Sequence, residues 1–187
     1  MKKTWKQFMA SITCLFLFSS CMEKSIHEDM DQQIKMYLKQ GSYSLIKEET
    51  INDYCIQWVH QNDGDYIIIF QKMQNGAHLI SLNKMEKNTL SYQTIYDLNE
   101  GILIVFGDNE DKTMKQYQMI IEKHGDSYGS MLIEGDLDGF DMYFKVLSTY
   151  PDFMIGGFEV LNEQNEWISM PMKELSQDLI YEEEELR

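Results

Sequence analysis

The apolar residues of this chain recur in two rhythms. Ile26, Met30, Ile34, Tyr37 and Leu38 fall three and four residues apart, which predicts an amphipathic helix over about 26–40. Ser25 and Glu28 form a capping box ahead of that stripe, each side chain satisfying a free backbone N–H of the first turn. Acids come early (Glu28, Asp29, Asp31) and bases late (Lys35, Lys39), as the helix dipole favours, and Gly41 supplies a stop. From about residue 43 the period becomes strand-like. Residues 54–59, 66–73, 77–82 and 90–96 read as strands of an antiparallel meander, and Asn75-Gly76 reads as a tight type I′ hairpin turn. After Asn99-Glu100-Gly101 a second set follows at 102–106, 115–122, 130–134, 142–147, 155–161 and 167–169, separated by short polar turns. Such spacing suggests a sandwich or a pair of packed sheets.

Two runs, Tyr66–Phe70 and Ile102–Phe106, are apolar throughout instead of alternating. Such strands need cover on both faces. No connection is long and helical enough for a parallel crossover, so the cover must come from an opposing sheet and a terminal helix, with Ile26–Leu38 a candidate. Met172, Leu175 and Leu179 have partial helical spacing after Pro171, whereas Glu182–Glu185 oppose a helix dipole. A short helix near 172–180 and a solvated acidic tail are expected. The fold class is therefore mainly β (α+β): an N-terminal amphipathic helix, an antiparallel meander, then sandwich-type strands. The second set, closing with Phe153 to Ile168, resembles an immunoglobulin-like module in its pattern of strands.

Charge narrows the function. The chain of 187 residues carries 16 Lys+Arg against 31 Asp+Glu, a net charge of -15. The basic surface on which phosphate-backbone binding rests is missing, which argues against nucleic-acid partners. Apolar residues make up 43% and only two prolines occur, so this is not an acidic disordered tail.

The N-terminus has its own logic. Lys2, Lys3 and Lys6 precede an eleven-residue apolar core, Phe8 to Phe18, and then Ser19-Ser20-Cys21. That core is short of the ~20 residues that span a bilayer, and its order is that of a secretory signal. Phe18-Ser19-Ser20-Cys21 resembles the lipobox of bacterial lipoproteins, with Phe18 where Leu is commonest. The resemblance implies that the Cys21 thiol takes a diacylglycerol and that cleavage makes Cys21 residue one. It also implies a place at the cell membrane, on the extracytoplasmic side. Residues 1–20 are then signal peptide and 21–25 the anchored cysteine with its spacer. Residues 26–100 form the helix and meander, 101–170 a sandwich-like part packed on the first, and 171–187 the terminal helix and tail. Losing the three N-terminal lysines leaves 13 bases against 31 acids, or -18. Cys14 goes with the signal and Cys21 is acylated, so Cys55 is the one free thiol, read within Tyr54-Cys55-Ile56 as a buried small hydrophobe.

Gly125-Asp126-Ser127-Tyr128-Gly129 matches the G-x-S-x-G nucleophile pattern and resembles the opening of GDSL-type esterases. Both need a histidine later in the chain, and none follows His124. Asp136-Leu137-Asp138-Gly139-Phe140-Asp141 has the carboxylates of a calcium loop without the glycine and glutamate spacing of an EF-hand. Asn62-Asp63-Gly64-Asp65 reads as a turn of the same kind. His27, His60, His78 and His124 are scattered, and the pair His27 and Asp31 sits on an acidic first turn. No catalytic, cofactor-binding or metal-ligating set is assigned, and Cys21 is the one site residue. The expectation is a lipid-anchored, non-catalytic binding or interaction module for an envelope protein, peptide or glycan. The alternative is a small anchored hydrolase using paired carboxylates or a calcium-dependent loop.

Overall fold

The computed structural model describes residues 30–74, 76–96, 100–123 and 129–170. Cys21, the Ser25/Glu28 capping box, Asn75, the Ser127 motif and the expected C-terminal helix lie outside them. Among the described residues one helix, α1, covers 30–40, and eleven strands follow in antiparallel sheets. Two compact units are present. The first holds residues 30–62 and 68–82, the second 63–67 and 83–170.

The first unit carries α1 and most of a sheet ordered β1-β2-β3-β4, with β1 Ser44–Ile51, β2 Tyr54–Gln61, β3 Gly64–Met73 and β4 Gly76–Lys84. Met30, Ile34 and Leu38 of the predicted helical stripe are buried, and Tyr37 meets the Phe70 ring edge-on at 5.3 Å. The helix thus covers one face of the apolar run in β3. Its end differs from expectation. Ser42, not Gly41, takes the left-handed conformation (φ 56°), while Tyr43 N–H bonds Leu38 O at 2.8 Å and Ser42 N–H bonds Lys39 O at 3.2 Å. This is a Schellman cap with serine in the usual glycine place. Gly41 answers a different need, because the Tyr43 ring lies 2.2 Å from where a Cβ would stand. Gln33 reaches from α1 to accept the Ala77 N–H at 2.9 Å.

β1 has no counterpart in the sequence reading. Its SLIKEETI is exposed along almost its whole length, since it is the edge of its sheet and buries neither face. Nothing apolar alternates there to be read.

The second unit contains a seven-stranded sandwich. One sheet is β5-β6-β9 (Leu90–Tyr96, Gly101–Asp108, Met142–Thr149), the other β11-β10-β7-β8 (Trp167–Ser169, Phe153–Asn162, Met114–Lys123, Ser130–Asp136). β5, read from sequence as the last strand of the meander, pairs with β6 instead. Leu103 and Val105 of β6 meet Tyr117, Met119, Ile121, Phe158 and Val160 of the opposing sheet. Ile102, Ile104 and Phe106, on the other face of β6, are buried as completely, so this strand is covered on both faces as its composition demands.

Tyr117 is the largest wholly buried side chain. Its hydroxyl bonds that of Tyr143 at 3.0 Å, and burial raises both phenols above their ordinary range. The ring lies over Gly135, its partner on β8, where a Cβ would stand 2.0 Å from the ring. A buried ring cannot swing aside. Gly135→Ala is therefore expected to cost about 2 kcal/mol by overpacking, or about 4–8 °C in melting temperature, read by thermal denaturation. A melting temperature unchanged within one degree would show that the ring can yield.

Candidate functional site

The aspartate-rich loop 137–141 is held by the protein's own groups. Leu137 is buried, and its N–H bonds Lys115 O at 2.7 Å. Asp136 accepts the Asp138 N–H at 3.0 Å, turning its carboxylate onto its own loop. Asp141 pairs with the Lys112 ammonium, which also donates to Gly139 O at 3.2 Å. Lys112 itself sits at positive φ (56°), a conformation that costs a non-glycine residue and is stabilised here by these contacts. The position in which a cation would bridge carboxylate and carbonyl oxygens is occupied by a lysine.

Beneath that loop lies Asn109, 1% exposed. Its Oδ1 accepts the Met114 N–H at 3.0 Å. Its Nδ2 donates towards the carbonyls of Met114 (2.9 Å), Leu137 (3.2 Å) and Phe140 (3.3 Å). One amide thus joins the β6–β7 and β8–β9 connections. The Asn62–Asp65 turn is tied in a similar way: Asp63 accepts Tyr66 Oη at 2.7 Å and Lys84 Nζ at 2.7 Å. Lys84, and after it Tyr66, holds the Asp63 carboxyl below its ordinary value.

His60 and His78 sit exposed on separate strands. Among the described residues no three His, Cys, Asp or Glu side chains come together as a metal site requires. No described helix is long and apolar enough to cross a membrane. A shallow cavity of about 280 Å³ opens beside β11, floored by Met114, Val160, Ile168 and Met170, and Glu163 is its one ionisable lining residue.

Cys55 is buried under α1, at 2% exposure. Burial, then the neighbouring Glu48, pushes its thiol up to about 12 from 9.0. The thiol is therefore an inert packing group. Because the folded chain keeps this proton where the unfolded chain loses it, the associated stability is complete below pH 9 and is lost as pH rises towards 12. Urea unfolding between pH 8 and 11 should show that decline, and Cys55→Ala should reduce its slope from pH 9 upward. An equal slope in the variant would assign the decline to Tyr37, Tyr117 and Tyr143, whose phenols are also raised.

The outer face of the β11-β10-β7-β8 sheet is the surface feature that stands apart. Register places Ile120 beside Leu132 on one side and Gly157 on the other, with Met154 opposite Glu122. Ile120, Leu132 and Met154 are 41%, 54% and 47% exposed, and Trp167 faces the same way beside Leu161. Glu122, Glu134, Asp136 and Glu159 stand on this face. Sequence reasoning did not single these residues out, although it had a signal. Met119-Ile120-Ile121, Met131-Leu132-Ile133 and Phe153-Met154-Ile155 are apolar triplets in alternating strands, and a strand that buries the first and third must show the second.

No protein-family model matches this chain, and neither a curated protein nor a solved structure was found to match it.

Proposed function

We propose that the chain is a lipid-anchored protein of the cell envelope, held through Cys21, whose folded body is a binding module acting through the outer face of the β11-β10-β7-β8 sheet. The observation that carries the binding reading is the Ile120–Leu132–Met154 patch, exposed and framed by carboxylates. Apolar side chains shown together on a sheet face, with polar groups around them, are the pattern of a surface that is covered in use. The anchor reading is carried by the basic, apolar and small-residue order that ends at Cys21. Only Met22 to Ser25 separate the acylated cysteine from the predicted helix cap, a reach of at most about 14 Å at ~3.5 Å per residue. That places the body beside the bilayer, and a charge of -18 keeps it from adhering to anionic lipid.

The test is a photo-crosslinking residue placed at Leu132 in the anchored protein, with Leu82 of β4 as the control position. A discrete adduct is expected from position 132 alone, and Ile120→Asp should abolish it. The same adducts from both positions, or an adduct indifferent to Ile120→Asp, would sink the assignment of the face.

A further inference from the structure

We infer that the outer edge of β8 receives an extended polypeptide segment, alternately basic and apolar, as a fifth strand of the β11-β10-β7-β8 sheet. This rests on the reading of the sheet face given above and adds the mode of binding and the chemistry of the partner.

β8 ends its sheet. Lys123 N–H bonds Gly129 O at 3.0 Å, and Leu137 N–H bonds Lys115 O at 2.7 Å. In an antiparallel ladder bonded and non-bonded pairs alternate, so Met131, Ile133 and Gly135 exchange bonds with β7. The N–H and C=O groups of Ser130, Leu132, Glu134 and Asp136 therefore point away from the sheet. These four residues also carry their side chains on the outer face, beside Ile120 and Gln118. Backbone recognition and side-chain recognition thus fall on the same positions.

Exposed edges are usually blunted by charged side chains (lysine above all), proline, a bulge or shortness, and the charge on β8 is negative, Glu134 and Asp136, which repels acidic strands and admits basic ones. Ser130–Asp136 has no lysine and no proline, runs seven residues, and pairs with β7 without a register shift. A strand alternating basic and apolar residues would set its basic side chains on the outer face against Glu134 and Asp136, with a lysine stem lying on Leu132, and its apolar ones on the inner face beside the half-buried Met131 and Ile133, and such cross-strand pairs stabilise a sheet. Charge selects this occupant over the others. A second copy would bring two faces of the same sign together, and residues 182–185 of the chain itself are four glutamates.

The experiment titrates the full-length mature protein in detergent with a labelled nine-residue peptide alternating lysine and valine, read by fluorescence anisotropy and by amide exchange of β8. Three comparison peptides are used: a shuffled one of equal composition, an alternating glutamate–valine one, and an alternating lysine–valine one N-methylated on its pairing edge. Binding of the first alone, with slowed exchange at Leu132 and Glu134, is expected. Leu132→Pro removes an edge donor without touching the β7 ladder and should weaken binding about tenfold or more, whereas Leu132→Thr, which keeps the donor, should weaken it less. Glu134→Lys should weaken it about tenfold, and Glu110→Lys, an equal charge change elsewhere, should leave it within about twofold. The N-methylated peptide leaves the protein intact, so its result stands even where Leu132→Pro lowers folding yield. Equal binding of the N-methylated peptide, with loss on Ile120→Asp, would overturn strand addition and leave the face assignment standing. Binding indifferent to Ile120→Asp, Leu132→Pro and Glu134→Lys would overturn both. A dimer that Leu132→Pro dissociates would overturn the choice of occupant.

Discussion

Asn109→Ala is expected to lower the stability of the folded chain by about 3–4 kcal/mol, enough to move the melting temperature by roughly 6–16 °C. The side chain is 1% exposed and serves three carbonyls and one N–H across two connections. Alanine removes the side-chain partner of the Met114 N–H and C=O, while the Leu137 C=O keeps only the Phe140 N–H at 3.1 Å. Each buried group so orphaned costs about 1–3 kcal/mol, and relaxation of the loops recovers part of the total. Asn109→Asp should cost nearly as much, because it keeps the acceptor for Met114 N–H and turns negative charge on the three carbonyls. Lys112→Ala makes the contrast. It breaks an ion pair whose side chains are 44% and 71% exposed, so a loss below about 1 kcal/mol is expected despite the short contact. Urea denaturation of the three variants decides the order. Lys112→Ala as damaging as Asn109→Ala would mean that the exposed pair, not the buried amide, holds the loop.

Cys21→Ala is expected to abolish the lipid anchor, so that any processed protein leaves the membrane fraction. On the proposed anchor, two acyl chains hold the body at about 0.8 kcal/mol per buried CH₂, which no surface contact of a -18 domain replaces. An unprocessed precursor can remain bound through Phe8–Phe18, so fractionation must be read together with the mass of the product. A mature form lacking an acyl mass shift on Cys21 would remove the anchor, and with it the bilayer-proximal placement. The sheet-face and strand-edge proposals concern the folded body and would survive that result.

The parts of the fold legible in the sequence were those governed by local alternation. β2 to β11 each contain a run read as a strand, β3 and β6 from unbroken apolar stretches, and Met30, Ile34 and Leu38 mark one buried helix face. β1 was illegible because an edge strand with two wet faces has no apolar rhythm. The pairing of β5 with β6 and the link made by Asn109 depend on residues far apart in the chain. Asn109 bonds groups 5, 28 and 31 positions away, and a lone asparagine after Gly107-Asp108 looks like any turn residue until those strands are assembled. The aspartates of 136–141 gave the converse lesson. Their spacing invites a cation, while Lys112, 29 residues earlier than Asp141, occupies the position. Composition found the carboxylates, but only the folded chain shows what they hold.

The burial of β6 on both faces bears also on how the molecule must be made. Ile102 to Phe106 is five consecutive apolar residues with no charge before Asp108. Its first partner, β5, is a neighbour in the chain and can form early. Its second, β9 at Met142–Thr149, lies some forty residues further along and pairs through eight positions. Until β9 arrives, a newly made chain presents the bare edge of a strand suited to pairing with its own kind in other molecules. Closing so long a loop is slow, and crowding of unfinished chains turns that delay into aggregation. The time β6 spends waiting for β9, more than its final packing, is thus expected to limit the yield of folded protein.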